Sequence, residues 1–123
     1  MAVTVTPLSN PLATKLVKDT DSDATGENDV LSGSGTVYLI KVDNTGNGSA
    51  VYTKIYDAAA PTIGTTAPDF ILKTPASVTR NFSLGSPGDG IAVTNLSFAT
   101  VTAGGTAGTT SPTNDVIVSI MAS

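Results

Sequence analysis

Two apolar, β-branched runs flank one turn cluster in the middle of the chain: Thr36-Val-Tyr-Leu-Ile-Lys-Val-Asp43, Asn44-Thr-Gly-Asn-Gly-Ser49 and Ala50-Val-Tyr-Thr-Lys-Ile-Tyr-Asp57. Such runs favour strands, and the two glycines between them tolerate the positive φ of a tight turn. We therefore expect the second run to return as the partner strand of the first. Since side chains alternate along a strand, the second run has two faces. One carries Val51, Thr53 and Ile55, and the other carries Tyr52, Lys54 and Tyr56.

Shorter runs of the same kind follow toward the C-terminus. We predict strands over 69–73, 77–84, 91–102 and 115–121, separated by segments of Gly, Pro, Thr and Ser. Short strands between turn-rich segments, with no convincing amphipathic helix, are typical of antiparallel sandwiches. The sequence thus predicts an all-β protein whose residues 35–123 form an antiparallel β-sandwich of jelly-roll or Ig-like type.

Residues 1–34 differ from this pattern and predict an extended N-terminal arm followed by an acidic loop. This segment is also a candidate to contribute an edge strand to the sheet. The arm carries apolar side chains between prolines, and we expect these to bind a partner's sheet edge or groove. They are Val3, Val5, Leu8, Leu12, Leu16 and Val17.

The composition argues against catalysis. The 123 residues include no His, Cys or Trp, which removes the near-neutral imidazole and the thiolate that many active sites use. We expect no enzyme activity and no cofactor. Only 13% of residues are charged and the net charge is −4, so nucleic acid is not an expected partner. The sequence has neither a membrane-spanning apolar run nor a signal peptide, which predicts synthesis in the cytoplasm.

The best candidate metal site is the acidic loop with Asp19, Asp21, Asp23 and Glu27. Alternating carboxylates can converge on Ca²⁺, but an EF-hand loop starting at Asp19 needs Gly where Ala24 stands and Glu where Val30 stands. We therefore favour a solvated acidic loop and expect no metal ligands.

Other possible sites have simpler structural explanations. The glycines of 85–90 lack the Lys-Ser/Thr and the helix of a phosphate loop, so they predict a turn. Carboxylate pairs of the glycosidase type are not marked by opposed environments. The acidic residues concerned stand at strand ends or turns, where local hydrogen bonding favours Asp; they are Asp43, Asp57, Asp69, Asp89 and Asp115.

Three side chains of the strands complete the candidate partner-binding set. Tyr52 and Tyr56 form an outward stripe that is a contact patch, a glycan platform or ordinary cross-strand packing. Arg80 stands in an alternating row with Val78 and Phe82. It pairs with a carboxylate at the sheet edge, reaches a neighbouring subunit or, as we favour, remains exposed and solvated.

Two segments resemble small structural proteins of tailed bacteriophages. One is Val51-Tyr-Thr-Lys-Ile-Tyr-Asp-Ala-Ala-Ala-Pro-Thr-Ile-Gly-Thr-Thr-Ala-Pro68; the other is Val101-Thr-Ala-Gly-Gly-Thr-Ala-Gly-Thr-Thr-Ser-Pro112, followed by the strand Val116-Ile-Val-Ser-Ile120. The resemblance covers residues 36–123 and not residues 1–34. Its motifs are strands and turns, so it identifies no site.

The resemblance implies a β-sandwich virion component assembled in the host cytoplasm. Its first candidate role is capsid decoration or cement, with the major capsid protein or another virion protein as partner. A homo-oligomer, with a trimer favoured, is expected. The alternatives are a tail, neck or fibre component and a carbohydrate-binding adhesin module.

Overall fold

The computed structural model describes residues 2–7, 13–85 and 89–123. Within these residues the chain forms nine β-strands and no helix. The strands are β1 Val3–Pro7, β2 Lys15–Ser22, β3 Gly35–Asp43, β4 Val51–Asp57, β5 Phe70–Thr74, β6 Thr79–Ser83, β7 Ile91–Val93, β8 Leu96–Val101 and β9 Val116–Ala122. The prediction of an all-β protein is confirmed.

The strands form two antiparallel sheets that pack together as a sandwich. The larger sheet has the order β1-β2-β9-β3-β6, and the short strand β7 pairs with the first residues of β3. The smaller sheet has the order β5-β4-β8. The predicted antiparallel sandwich is therefore confirmed, whereas a jelly-roll or an Ig-like type stays a prediction.

The expected pairing of the two central runs is wrong, because β3 lies in the larger sheet and β4 is the central strand of the smaller one. Side-chain amides organise the connection between them. Asn44 Nδ2 donates to the Ser49 carbonyl at 2.9 Å, and Asn47 Nδ2 donates to Asn44 Oδ1 at 3.0 Å. These side-chain hydrogen bonds stand where a hairpin would have backbone ladder bonds. They stabilise the connection by which the chain passes from one sheet to the other.

The single strand predicted over 91–102 is two strands, β7 and β8, in different sheets. The break comes at Thr94 and Asn95, whose backbone N–H groups donate to Asp57 Oδ1 at 2.8 and 2.9 Å. A carboxylate at the end of β4 thus satisfies the two amides that leave the ladder at this corner.

The core lies between the two sheets and is built from β-branched and aromatic side chains. Its fully buried members include Val17, Val37, Ile40, Val42, Val51, Leu96, Phe98, Val116, Val118 and Ile120. Inside it, Thr100 Oγ1 is hydrogen-bonded to Ser22 Oγ at 2.8 Å and to Thr53 Oγ1 at 3.2 Å. This buried hydroxyl chain joins β2 of the larger sheet to β8 and β4 of the smaller one.

The described residues of the predicted N-terminal arm pack within the sandwich. β1 and β2 belong to the larger sheet, where β1 is the expected edge strand and β2 pairs with β9. The segment that follows β2 also packs into the sandwich, since Leu31 is buried in the core. Residues 13–34 therefore pack as part of the sandwich, because they complete its larger sheet and its core.

Candidate interaction surfaces

The predicted outward stripe on β4 is largely covered. Lys54 and Tyr56 are fully buried, and Tyr52 is half-buried. The Gly- and Thr-rich segment after β8 lies over Lys54 and Tyr52. Lys54 Nζ donates to the carbonyls of Thr106 at 3.0 Å and Gly108 at 2.7 Å. Tyr56 is thus not available as a surface contact, and this part of the partner-binding prediction is corrected.

Burial changes the acid–base properties of both covered side chains. It lowers the pKa of the Lys54 ammonium and raises the pKa of the Tyr56 phenol. The Tyr56 hydroxyl is buried without a hydrogen-bond partner, whereas two carbonyls receive the Lys54 ammonium. The alternating side-chain pattern of β4 does not predict this burial, because the segment that covers the strand starts more than forty residues later in the chain.

The N-terminal apolar residues divide between the interior and the surface. Val17 is fully buried in the protein's own core, so it cannot bind a partner as predicted. Val3 packs partly against the core and Leu16 is half-buried. Val5 is 44% exposed. The predicted contacts Leu8 and Leu12 lie outside the described residues.

The outer edge of β1 carries unpaired backbone groups. β1 pairs with β2 in the register Val3↔Asp19 to Pro7↔Lys15, and the Thr20 N–H donates to the Ala2 carbonyl. Because hydrogen-bonded pairs alternate in an antiparallel ladder, Ala2, Thr4 and Thr6 are bonded to β2. The N–H and C=O groups of Val3 and Val5 therefore face away from β2, and no described strand pairs with that side.

The edge of β8 is closed by the chain itself. The Glu27 N–H donates to the Phe98 carbonyl at 2.9 Å, and the Phe98 N–H donates back at 3.0 Å. Further bonds run from Val30 to Leu96 and from Thr100 to Asp23. The acidic segment of the sequence is therefore an edge cover, and backbone pairing holds it there.

The edges of β5 and β6 are charged and lie near each other. Arg80 is exposed and its Nη1 donates to the Lys73 carbonyl at 3.4 Å, which links the two sheets at this side. Phe70, Ile71 and Val78 are also partly exposed here. Positive side chains on edge strands disfavour pairing with another chain. The prediction that Arg80 binds a partner stays a prediction.

The carboxylates of the acidic segment have different environments. Asp19 is fully buried, which corrects the expectation of a solvated loop for this residue. Burial raises its pKa to about 7, and its hydrogen bond with the Asp21 side chain and the nearby Glu27 carboxylate add to that rise. Burial also raises the pKa of Glu27. The hydrogen bond from the Ala2 N–H lowers the pKa of Asp21, and the hydrogen bond with the Asp19 side chain lowers it further.

The two oxygens of the Asp19 carboxyl have different surroundings. Its Oδ1 accepts the Asp21 N–H at 3.1 Å, whereas Oδ2 is buried without a hydrogen-bond partner. Since Val17 and Asp19 are two residues apart, they share the inward face of β2. That spacing was the sequence signal for the burial of Asp19.

Within residues 2–7, 13–85 and 89–123, no three carboxylates come together as metal ligands. Other carboxylates act locally, as their positions at strand ends predict. Asp43 Oδ1 accepts from the backbone and hydroxyl of Thr45, and Asp69 Oδ2 accepts the Asp57 N–H at 2.7 Å.

A shallow cleft of about 260 Å³ opens beside the β3–β4 connection. Asn47, Asn114 and Thr102 contribute to its lining. The two asparagines are already engaged, since the Asn114 N–H donates to Asn47 Oδ1 and Asn47 Nδ2 donates to the Asn114 carbonyl. The cleft is smaller than the roughly 300–1,000 Å³ typical of ligand pockets.

Comparison with protein-family models, with curated proteins and with solved structures gives no match to this chain. Among the described residues, no helix has the length and apolar character to cross a membrane.

Proposed function

We propose that this protein is a structural component of a tailed-phage virion, with capsid decoration as its role. The observation that carries the proposal is the resemblance of 51–68 and 101–112 to small structural proteins of these phages. The structure adds that the two segments contact each other, because Lys54 of the first donates to Thr106 and Gly108 carbonyls of the second. They form one packed unit.

The surface chemistry supports a role in protein–protein contact. Few residues are charged. The uncharged strand β1 has an outer edge with which no described strand pairs, and Val5 on this strand is exposed. Edges of this kind bind extended segments of other proteins by adding a strand. The proposed partner is the major capsid protein or another virion protein, and the proposed location is the assembled particle.

A tail, neck or fibre location is the alternative role within the same class. The adhesin interpretation depended on a Tyr52–Tyr56 platform. Since Tyr56 is buried, that platform is reduced to one half-buried ring, and we do not propose carbohydrate binding.

Quantitative mass spectrometry of purified particles tests the proposal. A decoration protein is expected in a copy number comparable to that of the major capsid protein, whereas a tail component is present in far fewer copies. Absence of the protein from particles whose host cells express it would refute the virion role.

A further inference from the structure

We propose that the outer edge of β1 binds the same edge of a second copy of this protein, so that two larger sheets join as one continuous antiparallel sheet. The inference concerns the isolated protein and does not depend on the virion role. It starts from the outward-facing N–H and C=O groups of Val3 and Val5, which the β1–β2 register leaves without a ladder partner among the described strands.

The edge is self-complementary in one register. A two-fold axis at Thr4 places Val3 opposite Val5 of the second copy, and Val5 opposite Val3 of that copy. Each such pair exchanges two backbone hydrogen bonds, as hydrogen-bonded pairs do in an antiparallel ladder. Pro7, which has no N–H, lies outside these bonds, so the register uses every donor that Val3 and Val5 offer.

The side chains agree with this arrangement. β1 contains no charged residue, and it lacks the lysines that commonly protect edge strands. Val5 shares the core-side face with the buried Val17, yet its side chain is 44% exposed. Pairing about the two-fold axis brings Val5 beside Val3 of the second copy on that face.

Two charges next to β1 are complementary about this axis, whereas Lys18, which pairs with Thr4 at the axis, lies near Lys18 of the second copy. β2 carries Lys15 beside Pro7 at one end of the edge, and Asp21 beside Ala2 at the other end. Antiparallel pairing puts the lysine end of one copy beside the aspartate end of the second copy. These charges attract at a distance and disfavour the parallel alternative, which would place like charges together.

The edges of β8, β5 and β6 do not offer the same opportunity. The segment around Glu27 covers β8, and Lys73 and Arg80 stand on the β5–β6 side. A three-fold ring needs two different complementary surfaces on each copy. The free edge of β1 therefore favours a two-fold dimer over the trimer expected from the resemblance.

The association is expected to be weak, because a five-residue edge buries less area than the roughly 1,200–2,000 Å² of stable interfaces. Heteronuclear NMR across protein concentrations from about 10 μM to about 1 mM suits such an affinity. The expected result is a concentration-dependent shift and slower hydrogen exchange of the Val3 and Val5 amides, with a dimer mass by sedimentation. A trimer mass, or unchanged amides over that range, would refute the inference.

Two variants and one control make the test specific. Val5→Pro removes an N–H that points away from β2, so the β1–β2 ladder is kept while the dimer is lost. Val5→Lys places an ammonium group beside Val3 of the second copy and has the same expected result. Val78→Lys makes the equal change at a valine that is 41% exposed on another edge, and it should dimerise like the wild type. Dimerisation of folded Val5→Pro and Val5→Lys would contradict β1 pairing, and NMR dispersion establishes that each variant is folded.

Discussion

The buried carboxyl of Asp19 makes the stability of the sandwich depend on pH near neutrality. Burial raises its pKa from 3.8 to about 7, so the folded protein holds a proton that the unfolded chain has already released. The stabilisation from that proton is complete below the unfolded pKa and is lost as pH rises through the folded pKa. Stability is therefore expected to fall between about pH 5 and about pH 8.

The size of the fall follows from these two pKa values. Each pH unit between them costs about 1.4 kcal/mol of unfolding free energy, and the slope levels off near pH 7. Integration from about pH 5 to about pH 8 gives a loss of about 2–3 kcal/mol. Glu27 adds to the loss with the same sign, since burial also raises its pKa.

Asp19→Asn isolates this effect. The amide oxygen keeps the acceptor for the Asp21 N–H, and the side chain stays neutral at every pH. Urea unfolding at about pH 5 and about pH 8 should show a loss of about 2–3 kcal/mol in the wild type and little loss in the variant. At the higher pH the variant should be the more stable protein.

Asp43→Asn serves as the control for this series. Hydrogen bonds from Thr45 lower the pKa of Asp43, so its contribution is lost only as pH falls into the acid range, which is the opposite sign. This variant should keep the loss between pH 5 and pH 8. A wild type with equal stability at both pH values, or an Asp19→Asn variant with an undiminished loss, would refute the role given to the Asp19 carboxyl.

Three substitutions test the covered face and the connection between the sheets. Tyr56→Phe should raise stability by about 1 kcal/mol, because it removes a buried hydroxyl that has no partner; a lower melting temperature would contradict this. Lys54→Met should speed amide exchange across 102–110 by about tenfold or more, because it removes the donor that holds two carbonyls of that segment. Unchanged amide exchange across 102–110 would mean that the Lys54 ammonium does not hold this segment in place. Asn47→Ala should cost about 2–3 kcal/mol in urea unfolding, since it leaves Asn44 Oδ1 without its donor, and a loss within error of zero would exclude that bond as a determinant of the connection.

Strand positions and fold class could be predicted because they depend on local pattern. The β-branched runs around Val37 and Val51 are strands, and the alternating run through Phe82 is another. Sheet membership could not be predicted, because it depends on contacts between distant residues. The side-chain hydrogen bonds of Asn44 and Asn47 hold a connection that joins β3 to β4 in a different sheet. The sequence of this connection is nevertheless typical of a hairpin turn.

The strand pattern does not predict the burial of side chains that a distant segment of the chain covers. Tyr56 and Lys54 alternate with Ile55, which predicts an exposed face, yet the backbone of Thr106 and Gly108 lies over that face. The acidic run that Asp19 opens predicts a solvated side chain, whereas its place on the same strand face as Val17 indicates the interior. The free edge of β1 became visible only with the register of its pairing to β2.

The measurement that tests a decoration role most directly is a cryo-electron microscopy reconstruction of the particle that carries this protein. The account predicts a two-sheet sandwich at repeated positions on the outer surface of the head, in contact with the major capsid protein. A head surface that lacks this sandwich, in particles that contain the protein elsewhere or not at all, would contradict it.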